Sequence, residues 1–298
     1  MFDTLCGNTP LINIKDNIWA KLETYNPTGS VKDRMVSYVV TKAIESGKIS
    51  SRPVLCEATS GHTGISLSAI AASLGLKCKI FMPINMSDER KQMMRSYGSE
   101  LVFSEPSDFL GAIEMRDVYL KKNRNAWTPN QFHNQDNIEC HYKITAPEIH
   151  SQVNTWSAFV HGSGTGGTMM GVKNYLDDSH LQTKTFLVVP AEEKHGIQGI
   201  NDGADFLVDR AQMCDIIEIR TEDAIDRAKK FSKETGILVG ISSGANILAS
   251  EQISKHITTG QIVTMLCDRG ERYMSIYQKG KYEKIKAGEY DVTQGTIS

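Results

Sequence analysis

The 298-residue chain is predicted to be an α/β protein, with two mostly parallel twisted sheets, each flanked by helices. Two observations predict this. Short apolar runs alternate with longer helix-like stretches on the scale of βαβ units. Three loops rich in glycine, serine or threonine each fall between an apolar run and a helix, where such folds hold their ligands. The length fits two domains or one large one.

In order, NIWAKLE (17–23) reads as a strand, and MVSYVVTKAIESG (35–47) as a helix that Gly47 stops. PVLCEA (53–58) is a strand and TGISLSAIAASLG (63–75) a helix. KCKIFMP (77–83) is a strand, followed by the helix SDERKQMMRSYG (87–98). ELVFSE (100–105) and NAWTPN (125–130) read as further strands. SAFVHG (157–162), TFLVVPAE (185–192) and IVTMLCD (262–268) are three more. MMGVKNYL (169–176) and ILASEQISKH (247–256) read as helices. Neither a Pro- or Gly/Ser-rich linker nor a repeat divides the chain, so two domains would require it to pass between them more than once.

Composition removes several function classes. The formal net charge of −2 gives no electrostatic case for nucleic acid or an anionic membrane surface. No apolar run is long enough to span a bilayer. The start, MFDTLCGNTPLINIKDN, lacks the basic and apolar regions of a signal peptide. The six cysteines form no C-x-x-C pair, which favours a reduced cytoplasm. The eight histidines show no metal-ligand spacing, and no metal site is expected.

Five stretches carry the candidate chemistry. In NPTGSVKDR (26–34), a sharp turn sets Lys32 at the start of a helix, where the field favours the neutral amine. Lys32 is then either a nucleophile or a solvated loop lysine, with Asp33 and Arg34 placed to form an ion pair that orients the helix. TSGHTG (59–64) puts Thr59, Ser60 and Thr63 beside helix amides, which makes either a carboxylate cradle or an ordinary cap. GSGTGGT (162–168) matches G-x-G-x-x-G, but its acidic partner is ambiguous. Its hydroxyls at Thr165 and Thr168 suit a terminal phosphate, and a structural turn is the alternative. GISSGAN (240–246) offers Ser242 or Ser243 as a cap or as a partner for a heteroaromatic nitrogen. CDRGERY (267–273) alone reads as a charged turn.

A lysine at a helix start, a carboxylate cradle and a phosphate cradle are the parts of a pyridoxal-phosphate site. Here the chain resembles the cysteine synthase (O-acetylserine sulfhydrylase) family of fold type II, tryptophan synthase β-like, pyridoxal-phosphate enzymes. The resemblance runs in order through GNTPLI, KLETYNPTGSVKDR, TSGHTGISLSAIAA, MPINMSDERKQMMRSYGSELVFS, NQFHNQDN, GSGTGGTMMGV, HGIQGI, GISSGAN and CDRGERYMS. It implies that Lys32 forms the Schiff base with pyridoxal 5'-phosphate. Gly164, Thr165, Gly166, Gly167 and Thr168 would hold the phosphate, and Ser242 the pyridine nitrogen. Thr59, Ser60, Thr63 and Gln131 would grip the substrate carboxylate. The implied reaction is β-replacement on an O-activated serine, most simply O-acetylserine plus sulfide giving cysteine and acetate through an α-aminoacrylate. Other donors and nucleophiles stay open: O-phosphoserine, an amine giving diaminopropionate, homocysteine giving cystathionine, or cysteine giving lanthionine or releasing sulfide. A dinucleotide-dependent oxidoreductase and a non-catalytic binding module are the rival classes.

The resemblance further implies a smaller mobile domain at 33–136 and a larger one at 1–32 plus 137–298. It also implies a homodimer, whose pocket could accept the C-terminal tail of a partner acyltransferase. Three departures from the family pattern stand out. His62 replaces the asparagine that meets the cofactor's 3'-oxygen, and Ala146 replaces a glycine. Asn201 and Asp202 replace small apolar residues after HGIQGI, so Asp202 is expected either to face the substrate or to cap a turn. CDRGERY resembles the sulfhydrylase branch that accepts donors such as thiosulfate. Neither a haem-binding extension nor a regulatory pair is read in the sequence, so a full-length cystathionine β-synthase is not expected, and a short bacterial-type one stays open.

Overall fold

The computed structural model describes residues 2–49, 52–153, 155–200 and 206–278. A hairpin opens the fold: strand β1 (Leu11–Lys15) pairs antiparallel with β2 (Ile18–Leu22). Helix α1 (Lys32–Glu45) leads to β3 (Val54–Ala58), α2 (His62–Ser73), β4 (Lys77–Pro83), α3 (Asp88–Ser96), β5 (Glu100–Ser104), α4 (Phe109–Lys122) and β6 (Ala126–Trp127). Next come α5 (Gln135–Cys140), a wide π-turn (His141–Thr145), α6 (Ala146–Gln152), β7 (Trp156–Gly162), α7 (Gly167–Asp178) and β8 (Lys184–Pro190). The described chain closes with β9 (Asp215–Ile219), α8 (Thr221–Thr235), α9 (Ile241–Ile253), β10 (Gln261–Leu266) and α10 (Met274–Tyr277).

Two sheets result. A six-stranded sheet has the order β1-β2-β10-β7-β8-β9, and a four-stranded sheet the order β5-β4-β3-β6. Every pairing beyond the β1–β2 hairpin is parallel. The chain leaves the larger sheet after β2 and returns to it at β7. Inner strands such as β7 and β10 are covered on both faces, so they read as continuous apolar runs. Ile18, Val160, Val188 and Ile262 pack with Ile241 and Ala245 of α9 on one side of the larger sheet. Phe159, Leu187 and Met265 pack with Met169 and Val172 of α7 on the other. Leu55, Ile80 and Met82 of the smaller sheet pack with α1 and α2.

NAWTPN yields only the two-residue β6, because Pro129 has no N–H to continue a ladder. No helix among the described residues is long and apolar enough to cross a membrane. Among them no group of three or more His, Cys, Asp or Glu side chains could hold a metal ion.

Candidate active site

Four helices begin at one cavity. Lys32 is the first residue of α1, His62 of α2 and Gly167 of α7, and Ser242 is the second of α9. Lys32, His62 and Ser242 line the cavity with the β7–α7 loop, Cys267 and Asp268. Each helix start carries partial positive charge, so a cavity where four of them meet favours an anionic ligand. β7 and β10 end here as well, which places the site at the carboxyl ends of parallel strands.

The turn before Lys32 is fixed from below. Gly29 has φ +79°, and a Cβ there would lie 2.7 Å from Cδ of Arg269. Arg269 Nε donates to Thr24 O at 2.7 Å, and Arg272 Nη1 donates to Gly29 O at 3.1 Å. Val31 N donates to Cys267 O at 2.8 Å, and Ser30 forms an antiparallel bridge with Asp268. CDRG, a charged turn by sequence, is thus the strut under Lys32. The expected Asp33–Arg34 ion pair does not form. Consecutive helical residues point about 100° apart, so the two side chains separate. Asp33 accepts from Thr28 N at 2.7 Å and from the hydroxyls of Thr28 and Ser66. Arg34 instead forks onto Glu23 and Glu148.

The β7–α7 loop is shaped by what its glycines leave out. Gly166 has φ +93°, and a Cβ on it would lie 2.3 Å from Val208 N. A Cβ on Gly167 would lie 2.0 Å from Asn137 Oδ1. Asn137 Nδ2 donates to Thr165 Oγ1 at 3.0 Å, and Thr168 Oγ1 lies 3.1 Å from His141 Nε2. Burial drives His141 well below its ordinary value and takes His161 down to about 3, with Lys32 adding to both shifts. Both rings are therefore neutral at pH 7. Gly166→Ala is expected to weaken cofactor affinity by about 10- to 100-fold, because the strained residue must displace the loop. Fluorescence titration of the cofactor-free protein measures this, and unchanged affinity would remove the loop from the site.

Ser242 and Ser243 now separate. Ser243 Oγ accepts from Cys267 N at 2.9 Å and has a structural task, whereas Ser242 lines the cavity. His62 is the cavity-lining member of TSGHTG. Thr59, Thr63 and Gln131 are buried and do not form part of the cavity wall. Thr59 Oγ1 accepts from Gly61 N at 3.0 Å, and Thr63 Oγ1 donates to Gln131 Oε1 at 2.5 Å. Ser60 O accepts from Arg90 Nη1 at 3.4 Å. Asp202 lies outside the described residues.

The residues present fit pyridoxal phosphate. Ser163 Oγ, in the loop that would receive the phosphate, is buried without a partner, and the loop glycines admit no side chain. A primary amine and a hydroxyl occupy the same wall. A family profile described as pyridoxal-phosphate dependent enzyme matches residues 3–268. Cysteine synthase B of Campylobacter jejuni is 39% identical over 288 residues, covering 91% of this chain and 95% of that one. The chain belongs to the cysteine synthase family of pyridoxal-phosphate-dependent enzymes.

Two solved structures illustrate the likeness. A hydrogen sulfide-producing enzyme from Fusobacterium nucleatum superposes with a TM-score of 0.86 at 36% identity, covering 92% of this chain and 99% of that one. An O-acetylserine-dependent cystathionine β-synthase from Helicobacter pylori gives 0.86 at 31% identity, covering 92% and 96%. Sequence reading missed Asp268 in the cavity wall and Asn137, His141 and Tyr273, which contact wall residues. CDRGERY drew attention by its charge, but the contacts of Asp268 and Tyr273 with His62 span more than 200 residues of sequence. Asn137 sits in the quoted NQDN, and nothing local pointed it at Thr165.

Proposed function

We propose that this cysteine synthase family member carries out β-replacement on O-acetylserine with sulfide, giving cysteine and acetate. The observation that carries this reading is Lys32, opening α1 onto the same cavity as Ser242, Gly164, Thr165, Gly166 and Thr168. Pyridoxal phosphate, when bound there, supplies an electron sink that acidifies the substrate α-C–H and allows loss of the β-substituent. Lys32 Nζ takes that proton as general base and returns it after the nucleophile has added. The Ser242 hydroxyl would hydrogen-bond the ring nitrogen without protonating it, which suits elimination better than chemistry needing a long-lived carbanion. The α7 start and the hydroxyls of Thr165 and Thr168 hold the phosphate.

Thr59, Ser60, Thr63 and Gln131 grip the substrate carboxylate. Residues 33–136 act as the smaller domain, closing on the rest when the carboxylate is captured, so that water is excluded during turnover. The protein works as a cytoplasmic homodimer, and the acyltransferase tail implied by the resemblance is a candidate occupant of the pocket.

The experiment is an absorption titration of the holoenzyme, with borohydride trapping and peptide mapping of the cofactor. Trapping on Lys32, with a band that moves to longer wavelength on O-acetylserine and returns on sulfide, is expected. A holoenzyme whose spectrum ignores O-acetylserine would sink the donor assignment. Trapping at another lysine would sink the site. The names of the Fusobacterium and Helicobacter relatives favour a second reading, in which cysteine or homocysteine takes part in the same chemistry. Sulfide release from cysteine, and cystathionine formation from homocysteine, separate the two readings.

A further inference from the structure

The cavity wall holds a second cluster, which the reaction above does not use. His62 Nε2 lies 2.6 Å from Asp268 Oδ2. The Tyr273 hydroxyl donates to the same oxygen at 2.7 Å and lies 3.4 Å from Nε2. Asp268 is 1% exposed and Tyr273 is fully buried. The backbone holds Asp268 from two sides, through its bridge to Ser30 and through Gly240 N, which donates to Asp268 O at 3.0 Å. A Cβ on Gly240 would lie 2.2 Å from Asp268 Oδ1, so the glycine makes room for this carboxylate.

The charges around the cluster act in one direction. Arg272 Nη1 stands 4.0 Å from Asp268 Oδ2, the Arg90 guanidinium lies 5.0 Å from the Tyr273 ring centre, and Lys32 shares the cavity. Burial alone would raise the Asp268 carboxyl, but His62, Arg272 and the tyrosine hydroxyl outweigh it and keep it below its ordinary value. An ionised carboxylate only accepts, so Nε2 must carry the proton. Burial takes the imidazole down to about 4, against the pull of Asp268, so one ring proton remains at neutral pH. Nδ1 is then a lone-pair acceptor.

In pyridoxal phosphate the phenolic oxygen is adjacent to the carbon that a lysine captures. The phosphate and the ring nitrogen already have partners in the α7 start and Ser242. We propose that Asp268 and Tyr273 are positioning residues that hold the His62 proton on Nε2, so that Nδ1 accepts from the cofactor's phenolic oxygen and favours its protonated form. This rests on the Lys32 cavity being the cofactor site.

Two measurements test it. Long-range proton–nitrogen NMR on histidine-labelled, cofactor-free protein reads the tautomer directly. His62 is expected to carry its proton on Nε2 between pH 6 and 8, and Asp268→Leu is expected to mix the tautomers. A ring protonated on both nitrogens, or on Nδ1 alone, overturns the proposal. In the holoenzyme, the ratio of the visible phenolate band to the near-ultraviolet phenol band is read at fixed pH. His62→Asn places an amide donor at this position and is expected to raise that ratio about fivefold, the weight of one neutral hydrogen bond. Tyr273→Phe should move it the same way by less, and keeps the test informative should Asp268→Leu fail to fold. A ratio that neither variant moves also overturns the proposal. Borohydride trapping away from Lys32 would instead count against the site, with the tautomer still decided by NMR.

Discussion

Replacing Lys32 by alanine is expected to lower turnover by at least about 10⁴-fold, because one amine serves as both covalent anchor and general base. The fold should persist. Lys32 stands at the first position of α1, where alanine is a good helix former. The phosphate loop is untouched, so the variant should still bind pyridoxal phosphate, without the absorption of a lysine adduct. Lys32→Arg separates charge from chemistry. Arginine keeps a cation at the helix start but does not deprotonate, so the same loss of rate is expected. Initial rates, absorption spectra and thermal unfolding of the two variants provide the check. A rate within tenfold of the parent for either one would show that another group moves the α-proton.

How much of this was legible in the sequence follows from the range of each interaction. The inner strands and the glycine loops are local signals, since an apolar run and a Gly-rich turn are written in consecutive residues. Other elements left weaker traces. β9 (DIIEI) is half exposed, and α5, the π-turn and α6 divide one helical stretch into short pieces. α8 did carry a signal in Ala224, Ile225, Ala228 and Phe231, which share its buried face, with Gly236 as a left-handed stop. Local reading could not choose between Ser242 and Ser243, because the choice depends on Cys267, 24 residues on. The same limit produced the Asp33–Arg34 error. Adjacent opposite charges suggest a pair, but helical geometry turns them apart, and the partners of Arg34 come from the β2–α1 segment and from α6. His62 was visible as a departure from pattern. Its partner Asp268 lies 206 residues away and required the fold.

The largest stability effect is expected at the ion cluster two residues beyond Lys32. Arg34 Nε donates to Glu23 Oε2 at 2.6 Å and Nη2 to Glu23 Oε1 at 2.8 Å, a bidentate fork. Its Nη1 reaches Glu148 Oε2 at 2.8 Å, and Lys21, fully buried in β2, also binds Glu148. Three separate segments, the β2–α1 connection, α1 and α6, are therefore joined through one guanidinium. Arg34→Met leaves Glu23 buried without its main counter-charge and is expected to cost about 3–5 kcal/mol. Arg34→Lys should recover only part of this, because an ammonium cannot make the fork. The pH dependence follows from Glu148. Burial would raise its carboxyl, but Arg34 and Lys21 outweigh burial and hold it at about 2. A carboxylate depressed in the folded state contributes stability that is complete above its unfolded value, ~4.3, and is lost as pH falls toward 2. Denaturant unfolding of the parent should therefore weaken steeply across that window, and Glu148→Gln, less stable at pH 7, should show a flatter acid limb. Equal acid slopes for the two would mean that Glu148 does not set the limb. Because Arg34 anchors the first turn of α1, Arg34→Met should also reduce cofactor affinity while leaving the phosphate loop intact, which would connect the ion cluster to the placement of Lys32.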